Sequence, residues 1–87
     1  MQDHVIVVGH THLGARIVDH LRQRSRPYVL IDRDVASVDD LFREGEPVIV
    51  DDAKQESTLL DAGIERARLV VITSNSIETA LIVTKRA

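Results

Sequence analysis

His4-Val5-Ile6-Val7-Val8, followed at once by Gly9-His10-Thr11-His12-Leu13-Gly14, decides the fold class. The first five residues form an apolar, mostly β-branched run of strand length. The next six place a glycine at a sharp turn and a second glycine at the start of an amphipathic stretch. A continuous apolar run, rather than an alternating one, marks a strand covered on both faces, as in a parallel sheet. Three more such runs follow: Tyr28-Val29-Leu30-Ile31, Val48-Ile49-Val50 and Leu69-Val70-Val71-Ile72.

Helical patterns separate the runs. Leu13, Ile17, Val18 and Leu21 share one face, with Arg16, Asp19, Arg22 and Gln23 opposite. Val35, Val38, Leu41 and Phe42 form a second stripe, which Gly45 and Pro47 end. Asp52 with Gln55 reads as a capping box for a short third helix through Leu59 and Leu60, closed by Gly63 in a left-handed cap. Ser76 is placed to cap a fourth helix from Ile77 toward the C-terminus.

Four strands alternating with four helices predict an open parallel α/β sheet, Rossmann-like, in the order 3-2-1-4. A fifth strand is expected beyond the last helix, so the chain reads as a C-terminally truncated half of that fold. Strand 4 would then be an open edge beside the apolar positions Ile77, Leu81 and Val83, and such edges pair with another copy. A dimer is the expectation.

Composition narrows the function. The chain has 87 residues, 11 Lys+Arg against 14 Asp+Glu and a net charge of −3. This length holds one small domain. With 2% aromatic residues (Tyr28 and Phe42) and an acidic balance, it lacks the stacking surface and basic stripe of a nucleic-acid binder. There is no Cys, which removes disulfides, cysteine-based zinc sites and thiol nucleophiles. No apolar run reaches the roughly 18 residues of a membrane span, so no membrane insertion of this segment is expected.

Ligands of open α/β sheets sit at the carboxyl ends of the strands, where the strand order reverses. Four segments converge there. In the turn from Gly9 to Gly14, Gly9 permits the bend and Gly14 lets the helix approach the sheet. The helix N-terminus supplies N–H groups and positive potential for a phosphate. Thr11 stands where the glycine fingerprint has its middle glycine. Its side chain either crowds a dinucleotide or offers a hydroxyl to a phosphate, and the turn alone also fits a strand–helix corner that binds nothing. Asp32 ends the second strand, 18 residues past Gly14, a spacing suited to a ribose-binding acid. A carboxylate there favours NAD or an adenine nucleotide over a 2′-phosphate, although Arg33 beside it acts the other way. Asp52 and Ala53 follow the third strand, where Asp52 is either a helix cap or a contact for the base. Thr73 and Ser74 follow the fourth, in a segment able to close over a ligand or to serve as an ordinary loop.

Other chemistry is thinly represented. His10 and His12 could supply half a metal site but also suit a polar loop. Arg22, Arg24 and Arg26 complement the dipole at the end of the first helix. No nucleophile–base arrangement, P-loop or catalytic Tyr–Lys spacing occurs, and no catalysis is expected. A phospho-receiver domain would carry an acidic pair after the first strand, where Gly9 and His10 stand.

The second half carries the most specific pattern: Gly45-Glu46-Pro47-Val48-Ile49-Val50-Asp51-Asp52-Ala53, then Leu59-Leu60-Asp61-Ala62-Gly63-Ile64-Glu65-Arg66-Ala67. Together with the glycine turn and Ile31-Asp32-Arg33-Asp34, it resembles the N-terminal subdomain that regulates potassium conductance, the RCK or TrkA-N domain. The resemblance covers essentially the whole chain. It implies a cytosolic ligand sensor at the inner face of the membrane, attached to a potassium channel or partnered with a potassium transporter. Such domains assemble as dimers or larger rings and bind NAD(H), ADP/ATP or AMP, and in some members a divalent cation. By position, Gly9 and Gly14 would cradle phosphate and Asp32 would hold the ribose, with His10, Thr11, His12, Leu13 and Arg33 beside them in the binding site. Asp52 and Ala53 would approach adenine, with Thr73 and Ser74 on the closing segment. Thr11 and Asp51 depart from the family pattern, and the Gly9-His10-Thr11 start is similar to the channel-fused branch. The competing expectations are the cofactor-binding half of an NAD-dependent oxidoreductase and an assembly module that binds nothing.

Overall fold

A computed structural model describes residues 2–74 and 79–84. The elements run β1 (Val5–Val8), α1 (His12–Gln23), β2 (Tyr28–Asp32), α2 (Val35–Arg43), β3 (Val48–Val50), α3 (Glu56–Asp61), β4 (Leu69–Ser74) and β5 (Thr79–Thr84). Their sheet order is β3-β2-β1-β4-β5. The first four strands are parallel, in the expected order 3-2-1-4. Val5 of β1 lies level with Tyr28 of β2 on one side and Leu69 of β4 on the other.

The unbroken apolar runs exist because both faces of the sheet are covered. Val7, Tyr28 and Leu30 pack with Val18 of α1 and Val38 of α2 on one face. Ile6, Val29, Ile31 and Val70 pack with Ala62, Ala67 and the α3 residue Leu59 on the other. Side chains alternate between faces along each strand, so each run feeds both cores. The second helical stripe is narrower than its pattern: Val38 is buried, whereas Val35 and Phe42 at its flank are 58% exposed.

The three helices among the described residues end in the same way. Gly63 (φ +76°) follows α3, its N–H bonded to the Leu60 carbonyl and that of Ile64 to the Leu59 carbonyl. Gly45 (φ +79°) does the same after α2. After α1 the left-handed position is held by Ser25 (φ +54°). These are Schellman closures, which satisfy the last carbonyls of a helix and turn the chain back toward the sheet.

Two expectations are corrected. The fourth helix is replaced by β5, which runs antiparallel along β4 from Leu69↔Thr84 to Ser74↔Thr79. Ile82, Val83 and Thr84 are β-branched and favour extended backbone. Pairing also satisfies the backbone groups along an edge of β4 that would otherwise be open. The β4 edge from which a dimer was expected is therefore covered within the chain. Ser76 and Ile77 lie outside the described residues. In addition, Asp52 does not cap α3. Gln55 occupies the cap position without a side-chain bond, and the Asp52 carboxylate accepts instead from the Lys54 N–H at 2.9 Å.

Candidate functional site

An open cleft of about 780 Å³ lies at the carboxyl ends of β1, β2, β3 and β4. Gly9, His10, Thr11, Asp32, Arg33, Asp52, Ala53 and Thr73 all line it, as their positions in sequence predict. His12, Leu13 and Gly14 do not line it: they form the first turn of α1, with His12 exposed and Gly14 buried. Ser74 ends β4, and its side chain lies outside the described residues.

The glycine turn is shaped by close approach. Gly9 has φ +99°, a region that side-chain-bearing residues avoid. A Cβ on Gly9 would lie 2.7 Å from Thr73 Oγ1, and one on Gly14 would collide with the Gly9 carbonyl oxygen. Both glycines are thus needed to bring α1 against the loop. Leu13 and His12 sit in the first helical turn, where backbone N–H groups have no intrahelical acceptor. The turn therefore keeps the positive end of α1 beside the cleft.

Thr11 answers the question its position raised. It is the N-cap of α1: its Oγ1 accepts from the Gly14 N–H at 3.0 Å and donates to Thr73 Oγ1 at 2.9 Å. Thr73 Oγ1 in turn donates toward the Gly9 carbonyl at 2.9 Å and the Val8 carbonyl at 3.1 Å. The Thr11 hydroxyl is thus turned into the fold rather than toward a ligand.

Asp32 is fixed from two sides. Its Oδ2 accepts from the His10 N–H at 2.6 Å, and its Oδ1 accepts from the Asp34 N–H at 2.8 Å. Each carboxylate oxygen retains a lone pair for a second donor, as a vicinal diol requires. His10 Nδ1 lies 2.7 Å from the Ser37 carbonyl. A carbonyl only accepts, so Nδ1 carries the proton in this bond.

The far wall and floor were not legible as site residues. Leu59, Ile64, Val70 and Ile72 give the cleft an apolar wall, and Lys54 joins Arg33 as its second cation. Asp34, Ser37 and Asp51 complete the polar rim. Leu59 and Ile64 lay in the most specific stretch of the sequence, but with no site role assigned to them, and Lys54 carried no signal beyond following Asp51-Asp52-Ala53. Among the described residues no group of three His, Cys, Asp or Glu side chains is placed to hold a metal ion. His10 and His12 are not brought together on the cleft.

Four parallel strands with a glycine turn at their reversal point and an acid ending the second strand define a Rossmann-like class of α/β domain. The TrkA-N domain family model matches residues 5–87, and the chain belongs to that family. A putative K(+) efflux antiporter KefB of Alkalimonas amylolytica is 30% identical over 87 residues, covering 100% of this chain and 13% of that protein. An uncharacterised protein of Methanocaldococcus jannaschii, MJ1633, is 36% identical over 78 residues, covering 90% of this chain and 16% of that protein. The chain therefore spans under one fifth of the length of either relative. The crystal structure of the TrkA-N domain of inner membrane protein YbaL from Escherichia coli superposes with a TM-score of 0.80. It is 24% identical and covers 85% of this chain and 55% of that one, a likeness of fold. No helix among the described residues is long and apolar enough to cross a membrane.

Proposed function

We propose that this chain is the regulatory, ligand-sensing domain of a potassium channel or potassium transporter, and that its cleft takes an adenine nucleotide: NAD(H), AMP, ADP or ATP. The observation that carries this reading is Asp32, anchored by the His10 N–H at 2.6 Å on the rim of the cleft, next to the glycine turn. A phosphate at the N-terminus of α1 and a ribose at Asp32 are neighbouring stations of one ligand. The apolar wall of Leu59, Ile64, Val70 and Ile72 suits the flat face of a base. The cleft holds four carboxylates, Asp32, Asp34, Asp51 and Asp52, against Arg33 and Lys54. That balance favours nucleotides of low charge over ATP.

The domain acts without catalysis, as part of a homodimer or larger ring on the cytoplasmic side of the membrane, joined to an ion-conducting subunit. The relative named as a putative K(+) efflux antiporter supports the link to potassium transport. Control follows from linkage: a ligand shifts ion flux only by binding one state of the assembly more tightly than another. Calorimetric titration with NADH, AMP, ADP and ATP tests the reading. Saturable heat with at least one of them is expected, and no heat with any of them would leave a scaffold.

A further inference from the structure

Thr11 and Thr73 stand 62 residues apart, yet their hydroxyls meet at 2.9 Å. A hydroxyl has one proton to give. Thr11 gives its proton to Thr73 while accepting from the Gly14 N–H, and Thr73 shares its own between the Gly9 and Val8 carbonyls. The result is a hydrogen-bonded circuit across the glycine turn: Gly14 N–H to Thr11, Thr11 to Thr73, Thr73 to the Gly9 and Val8 carbonyls. The circuit is largely shielded, with Thr73 8% exposed. Every proton in it is committed inward, so Thr11 has none left for a phosphate unless it releases Thr73.

We propose that Thr73 is a positioning residue for the candidate site, and that the Thr11–Thr73 pair is a clamp holding the glycine turn in its ligand-ready shape. A residue at the middle of the fingerprint then serves as a tether where a glycine would leave the turn free. The ligand's phosphate is held by backbone N–H groups of the turn, and the end of β4 fixes how those groups are aimed. The geometry of the turn thereby depends on a strand remote in sequence. The clamp itself is independent of any ligand, and only its effect on affinity rests on the nucleotide reading above.

Thr73→Val keeps the shape of the side chain and removes the hydroxyl. Thr73→Ser keeps the hydroxyl. Amide hydrogen exchange of the unliganded chain reads the clamp directly. In Thr73→Val the Gly14 amide should exchange about five- to tenfold faster, the worth of one net hydrogen bond. The core amides of Ile6 and Leu30 should keep their rates, and Thr73→Ser should restore Gly14. An unchanged Gly14 rate, or a rise shared equally by Ile6 and Leu30, overturns the clamp. The same proteins titrated with AMP and NADH should show affinity about tenfold weaker in Thr73→Val and near normal in Thr73→Ser. Equal affinity in all three overturns the positioning role. A fast-exchanging Gly14 in Thr73→Val, with no nucleotide bound by any of the three, upholds the clamp and overturns the nucleotide reading.

Discussion

The backbone N–H of His10 donates to Asp32 Oδ2 at 2.6 Å, joining the turn after β1 to the acid that ends β2. The contact holds the carboxylate at the rim of the cleft and orients its remaining lone pairs. Asp32→Ala removes both this acceptor and the one used by Asp34 N–H. Nucleotide affinity should fall at least about tenfold, or 1.4 kcal/mol. Stability should fall by about 1 kcal/mol. Asp32→Asn keeps an acceptor for one of these two N–H groups but sets its amide NH2 against the other, so it should lose part of that stability and also bind more weakly. Paired calorimetry and urea unfolding separate the two effects, and full affinity in Asp32→Asn would contradict the ribose role.

Gly14 is a helical glycine whose replacement by alanine would ordinarily stabilise a helix by about 1 kcal/mol. Here the new methyl would meet the Gly9 carbonyl oxygen. Gly14→Ala should therefore destabilise the chain, by about 1–3 kcal/mol, as overpacking does. A shift of the urea midpoint to higher concentration would show that α1 does not press on the turn as described.

Tyr28 is 4% exposed, and its hydroxyl donates to Glu46 at 2.6 Å. Burial raises its pKa well above the ordinary tyrosine value, with the hydrogen bond to Glu46 and that carboxylate's charge adding to the rise. The folded state thus holds the phenolic proton more tightly than the unfolded chain. Its contribution to stability is complete below about pH 10 and is lost as pH climbs above that value toward the folded-state pKa. Melting temperature should drop steeply above about pH 10 in the parent and less steeply in Tyr28→Phe. Parallel slopes for the two proteins would remove Tyr28 as the cause.

Ser25 holds a left-handed conformation, φ +54°, at the end of α1. The other two helices place glycine at the equivalent position. Ser25→Gly should relieve the strain and raise stability by about 0.5–1 kcal/mol, with no change in nucleotide affinity. Chemical denaturation of the two proteins checks it, and a loss of stability would mean that the Ser25 side chain contributes more than its backbone costs.

Much of this protein was legible before folding, for a physical reason. Strand identity and sheet order followed from apolar runs dense enough to need cover on both sides. Gly9, Gly14, Gly45 and Gly63 announced turns because few other residues reach those backbone angles or tolerate such close approach. Asp32 was legible by its distance from the turn. The third helix start was misread because Asp51-Asp52 followed by Gln55 mimics a capping box, whereas the chain spends Asp52 on a local turn to Lys54. The C-terminal segment was misread because its apolar spacing suits a helix, whereas residues 79–84 gain more by pairing along β4.

Periodicity and the backbone limits of single residues were enough to set the parallel α/β order, the position of the glycine turn and the acid beside it. Where the side chains aim was set by packing between distant elements. It turned the Thr11 hydroxyl inward to Thr73 and buried His4 with its Nε2 2.7 Å from the carbonyl of Ala62, the residue that follows α3. It also laid Leu59, Ile64 and Ile72 along one cleft wall. Such contacts join residues far apart in the chain, and the free energy that selects them exists only once the sheet has brought them together.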